Sequence, residues 1–452
     1  MNTLIEPPIE PTIEPRIKPM KHIVFVDSTS TGLLALNSAR ELGCYITFVK
    51  PLDSSFFDIA IKDPAKAQQY YDFVDQYIEI DSLDEHVIHP ALVAANAKRP
   101  IDAIITTSEA ALSAVAREAA FFGTVYPDPE LLQTAIFKNS CRQALSDAGV
   151  RSTAFETISE TVLLAGGKPQ KVSVPFVIKP IRGFGKEFSA VCLSQDDFTG
   201  FVERLAADRA KDAMINHLVS HEYIVEEYIN GDMYSIEIIV QQGIVSCFAT
   251  TGRERSKFNE MVEVGTTIPC QLTGADKDEM LQYVQDIITA LKLDVGCYHI
   301  EIMRDKQGPC LIEVNGRMIG AIAPRVYQAV ADIDPYKMLI RLHLGEKIDI
   351  DDSVIKGAAT SVAVGARAKG TVSMDFTNQK LDQLLSRYEV VFNSLELHPG
   401  KEVNFHTGNF KSLGYVMTKA DTPQASIQKA YRFVGELETL IGVELDIFNE
   451  PL

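Results

Sequence analysis

Strands and helices alternate in the first quarter of the chain, and this order restricts the fold more than any other feature of the sequence. Residues 22–27 and 45–49 are short apolar runs of the kind that form buried strands, and residues 31–42 between them have a helical pattern. A further predicted strand lies at residues 77–80, and a fourth at residues 102–107 leads into a predicted helix at residues 108–122. Parallel strands joined by helices form a doubly wound sheet, so we expect an α/β fold that opens with such a sheet.

The carboxyl edge of this sheet is the expected place for a ligand. The first strand-to-helix connection contains a single glycine, Gly32, and therefore lacks the glycine fingerprint of a dinucleotide site. Ser108 and Glu109 follow the strand at residues 102–107 and are candidate substrate-binding residues. The alternative role of Ser108 is to cap the following helix, and the two roles are compatible.

Composition limits the class of protein. A length of 452 residues allows two to four domains, and 46% hydrophobic and 23% charged residues are typical of a soluble globular protein. The net charge of −18 argues against nucleic acid or an anionic membrane as the main partner. The seven cysteines are scattered without a Cys-x-x-Cys pair, and no apolar run reaches membrane-spanning length. We therefore expect a cytoplasmic protein with neither a nucleic-acid nor a membrane partner.

Four regions are predicted along the chain. Residues 1–20 repeat an Ile-charge-Pro unit that blocks regular structure, so we expect a disordered, Pro-rich tail. Residues 21–125 carry the doubly wound sheet, and its exposed helix faces could pair two subunits into a homodimer. Residues 126–350 form a central α+β region. Residues 351–452 form an α+β C-terminal domain with a helix at residues 423–441, and they show no active site of their own.

Two acidic residues on facing strands, Glu301 and Glu313, are the most informative candidate site residues. They lie in alternating apolar segments that flank a turn near Gly308, which predicts a β-hairpin. A three-residue loop at residues 306–308 would set Glu301 opposite Glu313, with Asn315 on the same face. Two carboxylates and an amide oxygen form a hard oxygen set that suits Mg²⁺ or Mn²⁺. For this hairpin alone, the alternative is a solvated acidic strand face.

A lysine at the end of a strand and a glycine loop after it are candidates for binding phosphate. Lys179 ends an apolar run, where a lysine is expected to meet an anion or to reach solvent. Gly183, Gly185 and Lys186 follow in a loop that can lay backbone N–H groups over phosphates. The Gly-x-Gly pair alone is not specific, because many hairpins contain one.

A candidate base pocket follows further along the chain. Residues 222–231 are predicted to form a strand that leads into a turn. Glu226, Glu227, Tyr228 and Ile229 would then line a segment between two sheets, where backbone groups can read the edge of an adenine ring. An apolar slot with a few polar groups is the usual design of such a pocket.

The order of these motifs resembles that of the ATP-grasp enzymes. The motifs, spread over about residues 20–345, are Lys138 on a predicted helix at residues 130–148, Ile178-Lys-Pro-x-x-Gly-x-Gly, Val225-Glu-Glu-Tyr-Ile-x-Gly, and the hairpin that ends in Glu313-Val-Asn-x-Arg317. Within this superfamily the chain is most similar to the carboxylate–amine ligases that join amino acids into dipeptides, the bacilysin-synthetase type. That similarity rests on Thr107-Ser-Glu109, on residues 258–265 and on a glycine-punctuated C-terminal domain.

The resemblance implies a fold and a nucleotide. Residues 21–125 would form a Rossmann-like domain and residues 126–350 the ATP-grasp region, which binds ATP. Lys138 and Lys179 would hold the ATP phosphates, and Lys179 would also act in catalysis. The remaining nucleotide-binding residues implied are Gly183, Gly185, Lys186, Glu226, Glu227, Tyr228 and Ile229.

The resemblance also implies a metal and two substrates. Mg²⁺ (or Mn²⁺) would be held by Glu301, Glu313 and Asn315. Arg317 would be catalytic, binding the substrate carboxylate or stabilising charge in the tetrahedral step. The residues implied on the substrate side are Ser108, Glu109, Glu263, Arg317 and Gly320.

The activity implied is an ATP-dependent ligase that joins a small carboxylate to an amine through an acyl phosphate, with release of ADP and phosphate. The polar segment at residues 251–260 is expected to act as a lid over this intermediate. Met233 and Thr266 depart from the pattern of the dipeptide ligases, which loosens the substrate assignment only. The alternatives are another ATP-grasp reaction, such as a carboxylation or a purine-pathway step, and a non-catalytic nucleotide-binding module.

Overall fold

The structure is a computed structural model that describes residues 20–54, 68, 70, 72–211, 213–258, 260–405 and 412–446, without the side chains of residues 213–215. The predicted Pro-rich tail lies outside the described residues, apart from Met20. Among the described residues, no helix combines the length and the hydrophobicity that crossing a bilayer requires.

A parallel sheet opens the chain, as the strand–helix order predicted. Its four strands have the spatial order β3-β2-β1-β4 and pair in parallel. The strands are β1 (His22–Val26), β2 (Tyr45–Pro51), β3 (Gln76–Ile80) and β4 (Ala103–Ile105), and the helices are α1 (Leu34–Glu41), α2 (Glu85–Lys98) and α3 (Leu112–Phe122). Helix α1 packs on one face of the sheet, while α2 and α3 pack on the other. The doubly wound α/β sheet is therefore confirmed.

Helix α3 begins later than expected. The sequence predicts its start at Ser108, but the helix begins at Leu112 and Ala111 occupies the N-cap position. Ser108 is buried in the connection before the helix, where its backbone N–H bonds the Thr106 hydroxyl. The capping role proposed for Ser108 is therefore wrong, because the chain makes an additional turn at residues 106–111 before it becomes helical.

A small antiparallel sheet follows, with the order β5-β8-β6-β7. Its strands are β5 (Phe155–Ser159), β6 (Phe176–Pro180), β7 (Ala190–Cys192) and β8 (Glu222–Glu227), and the helices of this part are α4 (Pro129–Ile136), α5 (Lys138–Asp147), α6 (Glu160–Leu164), α7 (Gln195–Arg209) and α8 (Ala213–Leu218). The single helix predicted at residues 130–148 is two helices, because Phe137 has extended backbone angles. Lys138 therefore begins a helix of its own.

An eight-stranded antiparallel sheet forms the centre of the molecule, with the order β13-β12-β9-β10-β11-β14-β18-β16. Its strands are β9 (Asp232–Gln241), β10 (Ile244–Arg255), β11 (Glu263–Ile268), β12 (Val295–Asp305), β13 (Gly308–Asn315), β14 (Ala358–Ala363), β16 (Phe392–Asn393) and β18 (Tyr415–Ala420). Residues 251–255 belong to β10 and pair with β9 and β11. The first half of the predicted lid is therefore part of the sheet.

The last part of the chain shares this central sheet, because β14 pairs with β11. A two-stranded sheet of β15 (Gly370–Thr371) and β17 (Glu402–Val403) lies beside it. The remaining helices are α9 (Gly274–Ala290), α10 (Ala323–Val330), α11 (Pro335–His343), a 3₁₀ turn (Asp352–Val354), α12 (Asn378–Arg387) and α13 (Pro423–Ile441). Helix α13 has the predicted bounds.

The hairpin of β12 and β13 has the predicted pairing but a different turn. Two residues, Lys306 and Gln307, connect the strands, so the expected three-residue loop is wrong. A two-residue turn alone would place Glu301 opposite Ile312. The register shifts by one residue after Glu301, and this bulge brings Glu313 opposite Glu301.

Candidate active site

A cleft with a volume of about 730 Å³ runs between the small sheet and one face of the central sheet. This volume is within the range of small-molecule sites. Thr29 and Ser30 from the first strand–helix connection line one end, and Tyr415 from β18 lines another part. The cleft therefore collects residues from the beginning, the middle and the end of the chain.

The floor of the cleft is one face of the central sheet. Side chains alternate along each strand, so Ile236 and Ile238 pack into the apolar core together with residues of α4 and α9. Ser235 lies on the opposite face. In the sheet register Glu313 is opposite Glu301, and Glu301 is opposite Ser235. The two acidic residues of the hairpin are therefore neighbours on the cleft face.

Glu226, at the end of β8, binds two cations. Arg142 Nε donates to Glu226 Oε1 at 2.7 Å, and Lys179 Nζ lies 2.7 Å from Glu226 Oε2. Burial raises the pKa of Glu226, but the charges of Arg142 and Lys179 outweigh burial and lower this pKa to about 2. The carboxylate is thus ionised and fixed between the two cations. In this geometry Glu226 positions Lys179.

The bulge in β13 supplies a further acceptor for these cations. The Ile312 carbonyl accepts hydrogen bonds from Arg142 Nη2 at 2.8 Å and from Lys179 Nζ at 3.2 Å. A ladder carbonyl is normally paired with the neighbouring strand, whereas a bulge leaves one group of the backbone unpaired. The irregular pairing therefore places an oxygen where two buried cations need one.

An apolar slot lies beside this cluster. Ile229, Met233, Met303 and Ile312 pack together, and all four line the cleft. Met233, which departs from the pattern of the dipeptide ligases, is part of the slot. The shape and chemistry of such a slot suit a flat aromatic ring with polar edges.

The acidic pair is held by basic side chains. Lys138 Nζ lies 2.8 Å from Glu313 Oε1, and His299 Nε2 donates to Glu301 Oε1 at 3.0 Å. His299 Nδ1 donates to Glu237 at 3.0 Å. Burial lowers the pKa of His299, but Glu237 and Glu301 outweigh burial and raise this pKa to about 9. His299 is therefore protonated at neutral pH, and both of its ring nitrogens are donors.

The donor chemistry of this pair fits a magnesium ion. Glu301, Glu313 and Asn315 offer only oxygen atoms, which Mg²⁺ prefers. Among the residues that the structure describes, no three His, Cys, Asp or Glu side chains form a metal cage. Mg²⁺ rarely uses such a cage, since it keeps water and phosphate ligands beside one or two carboxylates.

A chain of alternating charges crosses the cleft from the glycine loop to Glu301. Lys186 Nζ lies 2.5 Å from Glu263 Oε1, and Arg253 binds the second oxygen of Glu263. Arg253 also lies 4.0 Å from Glu301. Glu263 is buried at the start of β11. Two cations thus hold Glu263 in place.

Arg317 lies at the end of the cleft that adjoins the first parallel sheet. Its Nε donates to Glu109 Oε2 at 2.8 Å, and its Nη2 donates to Asn315 Oδ1 at 3.3 Å. Glu109 therefore fixes one edge of the guanidinium. Arg317 links the candidate metal ligands to the candidate substrate edge.

The structure brings almost all of the predicted site residues into this one cleft. Ser108 is the exception, since it is fully buried and does not line the cleft. Those that line it are Glu109, Lys138, Lys179, Gly183, Gly185, Lys186, Glu226, Glu227, Tyr228, Ile229, Glu263, Glu301, Glu313, Asn315, Arg317 and Gly320. Their individual roles remain predictions.

Sequence reasoning missed several residues of the site. Arg142 lies one helical turn after Lys138, a spacing that places both on one face of α5 and could have been noticed. No such signal marks Arg253 in the sequence. Its partners Glu263 and Glu301 lie on other strands and come close to it only when the central sheet has formed. Residues near the C-terminus were also missed, and they include Tyr415.

Comparison with known proteins identifies a domain in the middle of the chain. Residues 172–324 match the family model described as an ATP-grasp domain. The chain carries an ATP-grasp domain. That stretch contains Lys179, the segment at residues 222–231 and the hairpin of β12 and β13. The prediction of an ATP-grasp enzyme is confirmed at this level.

Relatives and solved structures extend the likeness beyond that domain. The chain is 24% identical over 356 residues to the uncharacterized protein y4rH of Sinorhizobium fredii (strain NBRC 101917 / NGR234), covering 77% of this chain and 70% of that protein. It is 22% identical over 311 residues to a dapdiamide A synthase of Enterobacter agglomerans, covering 68% and 69%. The crystal structure of an L-amino acid ligase from Bacillus licheniformis superposes with a TM-score of 0.74 at 19% identity, covering 96% of this chain and 100% of that one. The fold is therefore similar to that of the L-amino acid ligase.

Proposed function

We propose that this protein is an ATP-dependent ligase that joins a small carboxylate to an amine and releases ADP and phosphate. The observation that carries the proposal is the meeting of three features in one cleft: buried lysines, an oxygen-only donor set and a guanidinium beside it. The named activities of the dapdiamide synthase and the L-amino acid ligase support the same class of reaction.

The nucleotide end of the cleft is the apolar slot around Ile229 and Met233. A base in that slot would direct the phosphates of ATP toward Lys138 and Lys179, which are buried and tied to carboxylates. Glu301, Glu313 and Asn315 would hold Mg²⁺, which when bound neutralises charge on the transferring phosphoryl group.

The chemistry proceeds in two steps. A substrate carboxylate oxygen attacks the γ-phosphorus of ATP, and the bond from this phosphorus to the β–γ bridging oxygen breaks, which releases ADP and leaves an acyl phosphate. The lone pair of the amine then attacks the acyl carbon, phosphate leaves with the electrons of the carbon–oxygen bond, and the amine nitrogen loses a proton to water.

Arg317 is suited to the second step. Its guanidinium is held by Glu109 on one side and lies within hydrogen-bond distance of Asn315 on the other. A cation fixed in this way stabilises an oxyanion without first having to reorganise. We therefore assign to Arg317 the stabilisation of the tetrahedral oxyanion, and to Glu109 the orientation of Arg317.

The test is a product analysis with Mg-ATP and a panel of amino acids and other carboxylates, with amines and with bicarbonate as separate additions. We expect ADP and phosphate in equal amounts with an amide product. AMP and pyrophosphate would contradict the acyl-phosphate route. ADP formation that requires bicarbonate would favour a carboxylating ATP-grasp reaction instead.

Glu313→Gln tests the metal assignment. The variant keeps the size of the side chain but removes one carboxylate, so we expect the turnover number to fall by roughly 100-fold or more and the Mg²⁺ dependence of nucleotide binding to weaken. Glu222→Gln, an exposed carboxylate outside the cleft, is the matched control. Full activity of Glu313→Gln would rule out this role.

A further inference from the structure

We propose that the C-terminal strands form the pocket for the side group of the amine substrate, and that this pocket accepts a neutral hydrogen-bonding group of the carboxamide class. The proposal rests on the proposed ligase function and assigns a task to residues beyond the matched ATP-grasp domain. We call the pocket the C-terminal wall, and its members are Ser361, Ala363, Ser394, Glu396, Leu413 and Tyr415.

The C-terminal wall is continuous with the floor of the catalytic cleft. In the sheet register Arg253 is opposite Thr266, and Thr266 is opposite Ser361. Both Thr266 and Ser361 line the cleft. Neighbouring strands are about 4.8 Å apart, so Ser361 lies about 10 Å across the sheet from Arg253. This distance is about the length of one amino-acid substrate. It runs from Arg253 across the sheet in the direction away from the acidic hairpin.

Ser361 carries a hydroxyl that the folded chain leaves without a partner. Its side chain is 2% exposed. Within the described part of the chain, no hydrogen-bond partner lies within reach of its Oγ. Such a buried group is rare, because leaving it unsatisfied costs free energy. A substrate group bound in the cleft would supply the partner.

Tyr415 provides a second hydroxyl on the same face. It is opposite Ala363, which is two residues from Ser361 along β14. Burial and the charge of Glu263 raise the pKa of Tyr415. Its hydroxyl therefore stays protonated and can both donate and accept a hydrogen bond. Both residues line the cleft, and two hydroxyls there match a group that has both an acceptor and a donor.

The charges around the C-terminal wall exclude some side groups. Glu396 is exposed at its rim and is held there by its backbone N–H, which donates to the Leu413 carbonyl at 2.9 Å. Glu263 lies at the inner end. Lys186 and Arg253 neutralise Glu263, so a carboxylate side group would be repelled by Glu396 at the rim. An alkyl group would leave the Ser361 hydroxyl unsatisfied. A carboxamide avoids both penalties.

The experiment compares three amines of similar size: glutamine, glutamate and methionine. Each rate is divided by the rate with hydroxylamine, which traps an acyl phosphate and has no side group to fill the pocket. We expect the wild-type protein to prefer glutamine to methionine and methionine to glutamate. Ser361→Ala and Tyr415→Phe should lower the normalised kcat/KM for glutamine by about five- to tenfold and change methionine little.

Two controls separate substrate contact from folding. Tyr388→Phe removes a hydroxyl elsewhere in the C-terminal region, where Tyr388 donates to Glu436, and should leave the preference unchanged. Ser361→Ala removes a buried, unsatisfied hydroxyl, so its thermal unfolding temperature should equal or exceed that of the wild type.

The possible results are distinguishable. Hydroxamate formation with equal use of glutamine and methionine would contradict only the role proposed for the C-terminal wall. A preference for glutamine that is unchanged in both Ser361→Ala and Tyr415→Phe would do the same. If no carboxylate in the panel gives hydroxamate or ADP, the proposed ligase function fails, and this inference fails with it.

Discussion

Among single residues, Glu226 has the most consequential surroundings. One buried carboxylate faces two buried cations, Arg142 and Lys179, so the cluster has an excess positive charge. The Ile312 carbonyl partly stabilises this positive charge by accepting two hydrogen bonds. An anionic phosphate would neutralise the charge that remains. The cluster is therefore suited to bind an anion, and its stability depends on Glu226.

Replacing Glu226 by Gln should destabilise the protein strongly. The change leaves Arg142 and Lys179 buried without a counter-charge, which costs about 3–5 kcal/mol in comparable sites. Urea unfolding at pH 7 measures this loss, with Glu222→Gln on the same strand as the exposed control. A loss no larger than that of the control would show that the two cations do not need this carboxylate.

The stability that Glu226 contributes should also depend on pH. The pKa of Glu226 lies at about 2 in the folded protein and at about 4.5 ordinarily, so its contribution is complete above pH 4.5. As the pH falls from about 4.5 toward 2, the unfolded chain takes up this proton first and the contribution is lost. The difference in unfolding free energy between wild type and Glu226→Gln should therefore shrink over that window and stay constant above it.

The limits of prediction are also clearest at single residues. A lysine at the end of an apolar strand indicated an anion, and Lys179 does lie in the cleft, where its immediate partner is Glu226. The resemblance implied a role for Glu226 at the adenine instead. The sequence alone does not show that Arg142 and Lys179 both bind this one carboxylate. Arg142 comes from a helix more than eighty positions away from Glu226 in the chain.

At the level of elements, the hairpin shows how a correct pairing followed from an incorrect turn. The alternation of apolar and polar side chains correctly predicted that Glu301 and Glu313 lie on one face of the sheet. Side chains two residues apart on a strand always share a face. The turn is one residue shorter than predicted, and the bulge after Glu301 restores the register. The sequence gives no reliable signal for this bulge. The carbonyl that the bulge leaves free, that of Ile312, binds Arg142 and Lys179, which are distant in the chain.

The turn between β8 and β9 yields a prediction at the same level. A Cβ on Gly231 would collide with the backbone carbonyl of Arg304, so Gly231→Ala must move the turn that follows the candidate base pocket at residues 226–229. We expect KM for ATP to rise about tenfold or more. Gly435→Ala on α13 is the matched control, because a Cβ there meets nothing within 4 Å and should stabilise the helix by about 0.5–1 kcal/mol. An unchanged KM in Gly231→Ala would show that the turn does not position the nucleotide.

The contact of α11 with Val125 yields a second pH prediction. His343 is buried, its Nδ1 donates to the Val125 carbonyl at 2.7 Å, and burial lowers its pKa from 6.5 to about 4. The unfolded chain therefore binds this proton at a higher pH than the folded one. Stability should fall by up to about 3 kcal/mol as the pH drops from 6.5 to 4. In His343→Gln this part of the slope should disappear, which urea titrations at several pH values would show; an unchanged slope would contradict the assignment.

At the scale of the whole molecule, the cleft is an assembly of distant segments. The first parallel sheet supplies Glu109, the small sheet supplies Lys179, and the central sheet supplies the acidic hairpin. The strand order within each segment was partly predictable from local patterns. The pairing of β11 with β14 was not, because about ninety residues separate these strands and no local pattern records which edge they share. For this reason the C-terminal residues of the cleft were not foreseen.

A ligand that bridges these segments should stabilise the whole fold. Lys138 and Lys179 come from different elements, and a nucleotide bound to both would favour the folded state by about 2.7 kcal/mol at a concentration 100 times Kd. Urea unfolding with Mg²⁺ and a non-hydrolysable ATP analogue measures this gain. Lys179→Ala should reduce the gain by at least about 1.4 kcal/mol at the same analogue concentration, since that corresponds to a tenfold weaker Kd. Lys168→Ala, an exposed lysine of the same part of the chain, should keep the full gain. An equal gain in all three proteins would place the nucleotide away from Lys179, and no gain in any of them would contradict nucleotide binding in this cleft.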